Sequence, residues 1–210
     1  MDFSLAFFPL GLVVFPKEPL NLHIFEPRYK QLIKDCRESG DSFGILPYID
    51  DSIKSYGTEV RLINIVNEYK DGRMDITTEA VKIFHWKSFN NPMEDKLYAG
   101  GTIEYIDELD DSSLEERKML VETSKKLLKL LKIDVEINES QEFLSFYLGH
   151  KMGLSISEEY ELLIAGSEKK RIKMLIEHLT KSIPLIQESE NTKEKIKLNG
   201  HFKYFNPLTF

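Results

Sequence analysis

The sequence predicts an α+β protein in which a small β-barrel with one inserted helix precedes a bundle of helices. Extended, β-rich segments fill the first half of the chain, one helical period interrupts them, and helical periods dominate from residue 112 onwards. Several short strands with a single inserted helix are typical of a closed or nearly closed barrel. We predict a barrel over residues 1–108, a helical unit over 112–187, and a linker with an aromatic tail over 188–210.

A hairpin gives the strongest strand signal. Thr58–Tyr69 and Met74–Trp86 are both rich in β-branched and aromatic residues, and Asp71 and Gly72 between them suit a two-residue turn with positive φ at both positions. Other short apolar runs are predicted as strands, punctuated by proline and glycine: Ala6–Phe8, Leu12–Phe15, Leu20–Phe25, Phe43–Leu46 and Tyr98–Ile106.

The inserted helix follows from a change of period. Pro27 suits the first helical position, and Gly40 suits the stop. Between them, the spacing i, i+3, i+4, i+7 predicts one apolar face that consists of Tyr29, Leu32, Ile33 and Cys36.

Four helices are predicted in the second half. Ser112 or Ser113 begins the first with a capping-box spacing, a second covers the apolar residues near Phe143–Leu148, and Ser157 begins a short third. Ser167 is expected to cap the fourth, and Pro184 is expected to kink or end it because proline cannot donate to the carbonyl of Thr180.

Composition excludes several classes of protein. With 41% hydrophobic and 30% charged residues, the chain is neither disordered nor a membrane span, and its net charge of −7 disfavours nucleic acid. The clearest basic cluster is expected to be a solvated helix face rather than a nucleic-acid contact, and it comprises Lys169, Lys170, Arg171 and Lys173. A single cysteine excludes cysteine-rich zinc sites, and the apolar run Leu5–Phe15 is interpreted as buried strand rather than signal peptide. We therefore expect a cytoplasmic protein without a membrane partner.

A search for catalytic and cofactor motifs returns none of the common ones. No glycine precedes a lysine, no G-x-G occurs, and no histidine precedes a glutamate, so the Walker loop, the dinucleotide fingerprint and the H-E-x-x-H zinc helix are missing. Cys36 is expected to be a buried structural residue, and His150 and His178 lie on different predicted helices. We predict no catalytic residue, no metal and no cofactor.

The segment Ile24–Tyr29 stands out because it places charges, aromatic rings and a proline where strand changes to helix. As a structural corner, Glu26 would accept hydrogen bonds at the helix N-terminus while Phe25 and Tyr29 anchor the helix to the barrel. The alternative is a ligand contact made by Arg28 or Glu26, since loops at such corners carry function.

This region resembles the opening of the N-terminal domain of Lon proteases, with Asp71-Gly72-Arg73 similar to that domain's later hairpin and Phe143–Leu179 similar to its helical extension. The resemblance to the opening of that domain rests on five short segments: Phe8-Pro9-Leu10, Val14-Phe15-Pro16, Pro19-Leu20, Phe25-Glu26-Pro27-Arg28-Tyr29 and Phe43-Gly44-Ile45.

The resemblance implies a PUA-like β-barrel followed by a helical bundle, and a role in recognising protein substrates and helping assembly. A full Lon protease continues into an ATPase module and a Ser–Lys peptidase, whereas this chain ends at Phe210, so we expect no enzymatic activity. We expect a module that binds unfolded or partly folded polypeptides, with a separate full-length Lon protease as a further candidate partner. An RNA-binding PUA-like module is the alternative, against which the acidity argues.

The C-terminal tail is strongly aromatic. His201–Phe205 has the composition of a strand, with Phe202 and Tyr204 facing one way and Phe205 the other. We expect this tail to dock, either on the edge of its own barrel or on a second copy in a homodimer.

Overall fold

The computed structural model describes residues 3–202, with side chains described for residues 3–193. The strands within that range are β1 (Phe3–Leu10), β2 (Pro19–Ile24), β3 (Phe43–Ile49), β4 (Ser52–Ile53), β5 (Tyr56–Glu68), β6 (Met74–Trp86) and β7 (Ala99–Tyr105). The helices are α1 (Pro27–Ser39), α2 (Leu114–Leu130), α3 (Leu144–Gly149), α4 (Ile156–Ile164) and α5 (Glu168–Phe202). The predicted α+β class, a barrel followed by helices, is confirmed.

Five strands close the barrel. They are hydrogen-bonded in the order β1-β7-β6-β5-β3, and β1 then pairs with β3 in parallel, which completes the ring. The other pairings around the ring are antiparallel, so the barrel is mixed. β2 lies outside the ring and pairs with the first half of β6, while β4 pairs only with the end of β3.

The long β5–β6 hairpin projects beyond the ring. Its turn differs from the predicted two-residue turn, because the Tyr69 amide donates to the Arg73 carbonyl at 2.9 Å and three residues lie between them. Gly72 has a φ of 78°, whereas Asp71 keeps a negative φ. A three-residue loop that ends in a left-handed glycine is a common hairpin connection, so the Asp-Gly signal found the turn but not its length.

The apolar run Leu12–Phe15 was predicted as a strand. It is instead a buried connection between β1 and β2. The side chain of Val14 packs in the barrel core, whereas Val13 and Phe15 pack with the helices. The Val14 carbonyl accepts a hydrogen bond from Thr58 Oγ1 at 2.5 Å, which satisfies one of its backbone groups inside the protein. The apolar composition of this run therefore indicated that it is buried, but it did not indicate its backbone conformation.

Helix α1 lies against the barrel with its predicted apolar face buried, and Tyr29, Leu32, Ile33 and Cys36 are all in the core. Gly40 ends the helix with a φ of 79°, and its amide donates to the Cys36 carbonyl at 2.9 Å. Only glycine adopts this left-handed conformation without cost from a Cβ atom, so the predicted stop is confirmed.

Capping boxes fix the starts of two helices. Ser113 caps α2 and exchanges hydrogen bonds with Glu116, as the sequence predicts. α4 begins at Ile156 and is capped by Ser155 with Glu158, so the predicted start at Ser157 was one residue late.

Helix α5 continues through Pro184 to Phe202. Residues 188–202 of the predicted linker and tail are therefore helical, including His201 and Phe202, which were predicted as strand. Proline removes one intrahelical hydrogen bond, at a cost of about 3 kcal/mol. The packing of Ile183 and Ile186 against the helical core on either side of Pro184 opposes that cost. Tyr204 and Phe205 lie outside the described residues, and docking of the tail stays a prediction.

The helices and the barrel share a core. The predicted barrel unit, 1–108, and the predicted helical unit, 112–187, are therefore packed together. Barrel residues such as Phe15, Ile49 and Ile83 belong to the same buried cluster as Leu120, Leu175 and the other core residues of α2 to α5. Within the described part of the chain, none of the helices combines the length and the hydropathy that crossing a bilayer requires.

A buried arginine ties the end of the barrel to the helices. Arg171 is fully buried on α5 and forms ion pairs with Glu168 and with Glu108, which follows β7. Its Nε also donates to Ser145 Oγ at 3.0 Å, and its guanidinium lies 4.1 Å from the centre of the Phe146 ring. The prediction that Arg171 belongs to a solvated basic face is therefore wrong, because Arg171 is buried and two of its partners, Glu108 and Ser145, lie far away in sequence.

Candidate functional site

The corner between β2 and α1 brings Glu26 and Arg28 together on the surface. Glu26 is the N-cap residue by its backbone angles (φ −71°, ψ 139°), but its side chain makes no capping hydrogen bond. Its Oε2 instead accepts from Arg28 Nε at 2.9 Å and lies 2.8 Å from Arg28 Nη2. The expected capping role of Glu26 is thus wrong: Pro27 leaves one fewer amide to cap, and the carboxylate pairs with the nearby guanidinium.

Tyr29 anchors α1 to the barrel, as predicted. Only 4% of the residue is exposed, and its ring stacks on Phe8 with centroids 3.7 Å apart. Arg28 covers the ring from outside, with Cζ 4.5 Å from the ring centre. Burial raises the pKa of the Tyr29 phenol, and the neighbouring Arg28 charge opposes that rise.

Phe25 takes no part in that anchor. It is 60% exposed, and its ring stacks at 6.3 Å on His23, which in turn meets the edge of Tyr69 at 6.1 Å. The prediction that Phe25 fastens the helix is wrong, because strand alternation directs the buried Ile24 inwards and leaves Phe25 outside. Three of the four predicted site residues, Glu26, Arg28 and Tyr29, therefore lie together, and Phe25 belongs to a separate surface.

Arg28 and Tyr29 form one side of an apolar cleft of about 350 Å³, called the aromatic cleft below. It opens between the end of β1, the start of α1, the β3–β4 turn and the loop that follows β6. Its lining residues are Phe7, Pro9, Leu10, Gly11, Arg28, Tyr29, Tyr48, Ile53, Phe89, Asn91 and Ala99.

Aromatic rings line the aromatic cleft at two depths. Phe7 is fully buried and stacks on the half-buried Phe89 at 5.7 Å, while Tyr48 is 45% exposed at the rim. Arg28 and Asn91 add side-chain hydrogen-bond donors beside this apolar surface. A concave apolar surface with a few polar groups fits side chains of another molecule.

Sequence reasoning missed Tyr48, Phe89 and Asn91 because they are distant in the chain from Arg28. Tyr48 carried a readable signal, since it alternates with buried neighbours in β3, where the pattern places it on the outer face. Phe89 and Asn91 lie in an irregular loop, for which no periodic signal exists.

The other candidate residues have structural partners. Cys36 is buried, and burial raises the pKa of its thiol to about 12, so the nucleophilic thiolate is suppressed at neutral pH. His150 lies between Glu18 and Glu159 on the helical side, and His178 pairs with Glu158. Among the described residues, His, Cys, Asp and Glu form no group of three that could hold a metal ion.

Comparison with known proteins identifies solved structures that share this fold. A solved Lon N-terminal domain protein from Xanthomonas campestris is similar, with a TM-score of 0.65, 25% identity, and coverage of 83% of this chain and 97% of that one. The N-terminal domain of Mycobacterium avium complex Lon protease shares the fold, with a TM-score of 0.65, 15% identity, and coverage of 85% and 98%. No curated protein sequence matches the chain.

The match to a protein-family model establishes the family of this chain, because the match spans most of the chain. That model describes the substrate-binding domain of the ATP-dependent protease La (LON), and it matches residues 4–181. The matched residues include the barrel from the second residue of β1 onwards, α1 to α4, and α5 up to Lys181. The chain therefore belongs to the LON substrate-binding domain family.

Proposed function

We propose that this chain binds unfolded or partly folded polypeptides at the aromatic cleft, without catalysing a reaction. The observation that carries the proposal is the open cleft at the corner, which Tyr48, Phe89, Ile53 and Arg28 line together with other apolar residues. Unfolded chains expose the aromatic and aliphatic side chains that folded proteins bury, and an exposed apolar cleft is where such side chains leave water.

Arg28 gives the cleft a polar contact as well. Its guanidinium is nearly half exposed and makes an ion pair with Glu26 alone among the described residues. A guanidinium has five N–H donors, so donors remain for a backbone carbonyl or carboxylate of the bound polypeptide. Apolar contacts would thus supply affinity, and Arg28 would orient the client chain.

Membership of the family supports a partnership with a separate full-length Lon protease in the cytoplasm. In that arrangement this chain would hold the client, and the protease would supply ATP hydrolysis and peptide-bond cleavage. Addition of the chain to a purified Lon protease should then accelerate degradation of an unfolded client. Unchanged degradation would contradict the partnership but not the binding role.

Fluorescence anisotropy with labelled, reduced and carboxymethylated α-lactalbumin tests the binding role. Wild-type protein should bind this permanently unfolded chain, and Tyr48→Ala should weaken binding by about tenfold, which equals about 1.4 kcal/mol. Tyr147→Ala is the matched control, because Tyr147 is 37% exposed and lies on α3, outside the aromatic cleft. Equal loss in both variants, or displacement of the probe by single-stranded RNA, would contradict the proposal.

A further inference from the structure

Strand β5 has a free edge beyond Val60. On one side β5 pairs with β6 along its length, but on the other it pairs with β3 only over residues 58–60. β2 lies on the far side of β6, so no strand in the described range borders residues 61–68 of β5 on the open side. Backbone groups that point outwards from such an edge can pair with a further strand.

A groove of about 400 Å³ follows this edge. One wall is β5 itself, and the other is the C-terminal end of α1 with the chain that leads into β3. The lining residues are Cys36, Arg37, Gly40, Asp41 and residues 61–65. Because β3 begins at Phe43, an added strand in this groove would continue the line of β3 along β5.

A row of cations lies along α1 beside the groove, and Arg37 is the member of that row that lines the groove, together with the anion Asp41. Lys30, Lys34 and Arg37 follow at i, i+4 and i+7, so they share one face of α1. Lys30 Nζ donates to the Asp71 carbonyl at 2.9 Å, and Arg37 Nη1 lies 3.1 Å from Glu68 Oε2, which shows that this face borders the β5–β6 hairpin. In a chain with a net charge of −7, this local basic row favours an acidic partner.

Two large apolar side chains project at the same edge. Ile63 and Val66 are each 54% exposed, and both fall where the β5–β6 register shifts. Bulges of this kind interrupt an edge strand and so limit indiscriminate pairing with other chains. A short strand can still pair beside them and cover the apolar side chains, which suits a weak and reversible contact.

We propose that an extended, acidic and apolar segment of a client polypeptide adds as a short strand to the free edge of β5, in the groove beside α1. The inference rests on the proposed function and extends it, since it specifies the conformation and charge of the client and a second contact surface. Backbone hydrogen bonds would supply sequence-tolerant affinity, and the basic face of α1 would select acidic segments.

Hydrogen exchange tests the edge directly, with carboxymethylated α-lactalbumin as an acidic, unfolded probe. Saturating probe should slow exchange of the backbone amides within residues 61–68, while the amides of α2, which lines neither the aromatic cleft nor this groove, should be unaffected. If the probe binds and these amides exchange as before, the edge inference is overturned and the proposed function stands. If the probe does not bind at all, both fail.

A matched pair of variants tests the same surface in a second way. Ile63→Glu places a charge at the free edge and should weaken binding of the probe by about tenfold. Val81→Glu makes the same change of charge at an exposed valine of β6, away from the groove, and should bind like wild type. Similar affinities for the two variants would overturn the inference, and the exchange measurement on wild type remains decisive if Ile63→Glu does not fold.

Discussion

The Tyr29 ring stacks on Phe8 with centroids 3.7 Å apart and an angle of 18° between the planes. The same ring carries Arg28 on its outer side, 4.5 Å from the ring centre. The corner is thus divided between two functions: Tyr29 fastens α1 to the barrel, and Arg28 remains accessible in the aromatic cleft. Variants at the two neighbouring residues should therefore separate stability from binding.

Tyr29→Ala should destabilise the fold by about 3–5 kcal/mol, because it removes a buried ring and leaves a cavity against Phe8. Tyr29→Phe keeps the ring and should cost less than about 1.5 kcal/mol. Urea unfolding followed by circular dichroism measures both. If Tyr29→Ala unfolded at the same midpoint as wild type, the ring would not be the anchor of α1.

Arg28→Ala should leave stability nearly unchanged, with a loss of less than about 1 kcal/mol, because its ion pair with Glu26 is exposed. Binding of an unfolded polypeptide should weaken, because the donors of the guanidinium are lost from the cleft. Glu26→Ala is the control, since it breaks the same ion pair but keeps Arg28. A large fall in melting temperature for both variants would instead indicate a structural corner.

Arg171→Met should destabilise the protein by about 3–5 kcal/mol, because it leaves the buried carboxylates of Glu108 and Glu168 without their cation. Lys169→Met, on the same helix but exposed, should change stability by less than about 0.5 kcal/mol. Thermal unfolding of the two variants checks this, and equal melting temperatures would contradict the assigned role of Arg171.

Stability should fall at high pH through His150. Hydrogen bonding to Glu18, with a further contribution from Glu159, raises the pKa of His150 from 6.5 to about 9. Because the folded-state pKa is the higher one, the stabilisation is fully present below pH 6.5 and is lost as pH rises through about 9. Solvent screening limits it to about 1 kcal/mol.

His150→Gln should accordingly be less stable than wild type in mildly acidic buffer and equal to it once pH exceeds the folded-state pKa. Urea unfolding across that range measures the difference. A difference that does not change with pH would show that packing of the imidazole on Phe15, and not its charge, joins α3 to the barrel.

Features with local causes were predictable from the sequence. The bounds of Met74–Trp86, the stop at Gly40 and the capping box of Ser113 and Glu116 each depend on residues within a few positions of one another. The order of barrel and helices was also predictable, because extended segments fill the first half of the chain and helical periods follow residue 112, and the resemblance to the Lon N-terminal domain implies the same order.

Features with distant causes were not predictable. In the sequence, Arg171 resembles the cations next to it, which suggests a solvated row. Its ion-pair partner Glu108 lies much earlier in the chain, and only the folded structure brings the two together. The parallel pairing that closes the barrel joins β1 to β3, which β2 and α1 separate in the sequence. No local sequence pattern indicates this pairing. The aromatic cleft likewise draws Phe7, Tyr48 and Phe89 from three separate segments.

Site-specific photo-crosslinking tests the central claim, that unfolded polypeptide occupies the aromatic cleft. p-Benzoylphenylalanine would replace Tyr48 at the rim of the cleft or, as the control, Tyr147 on α3. Irradiation with carboxymethylated α-lactalbumin should give a crosslinked product from position 48 that excess unlabelled probe abolishes, and little product from position 147. Equal yields from both positions, or none from position 48 under conditions where anisotropy shows binding, would contradict the claim.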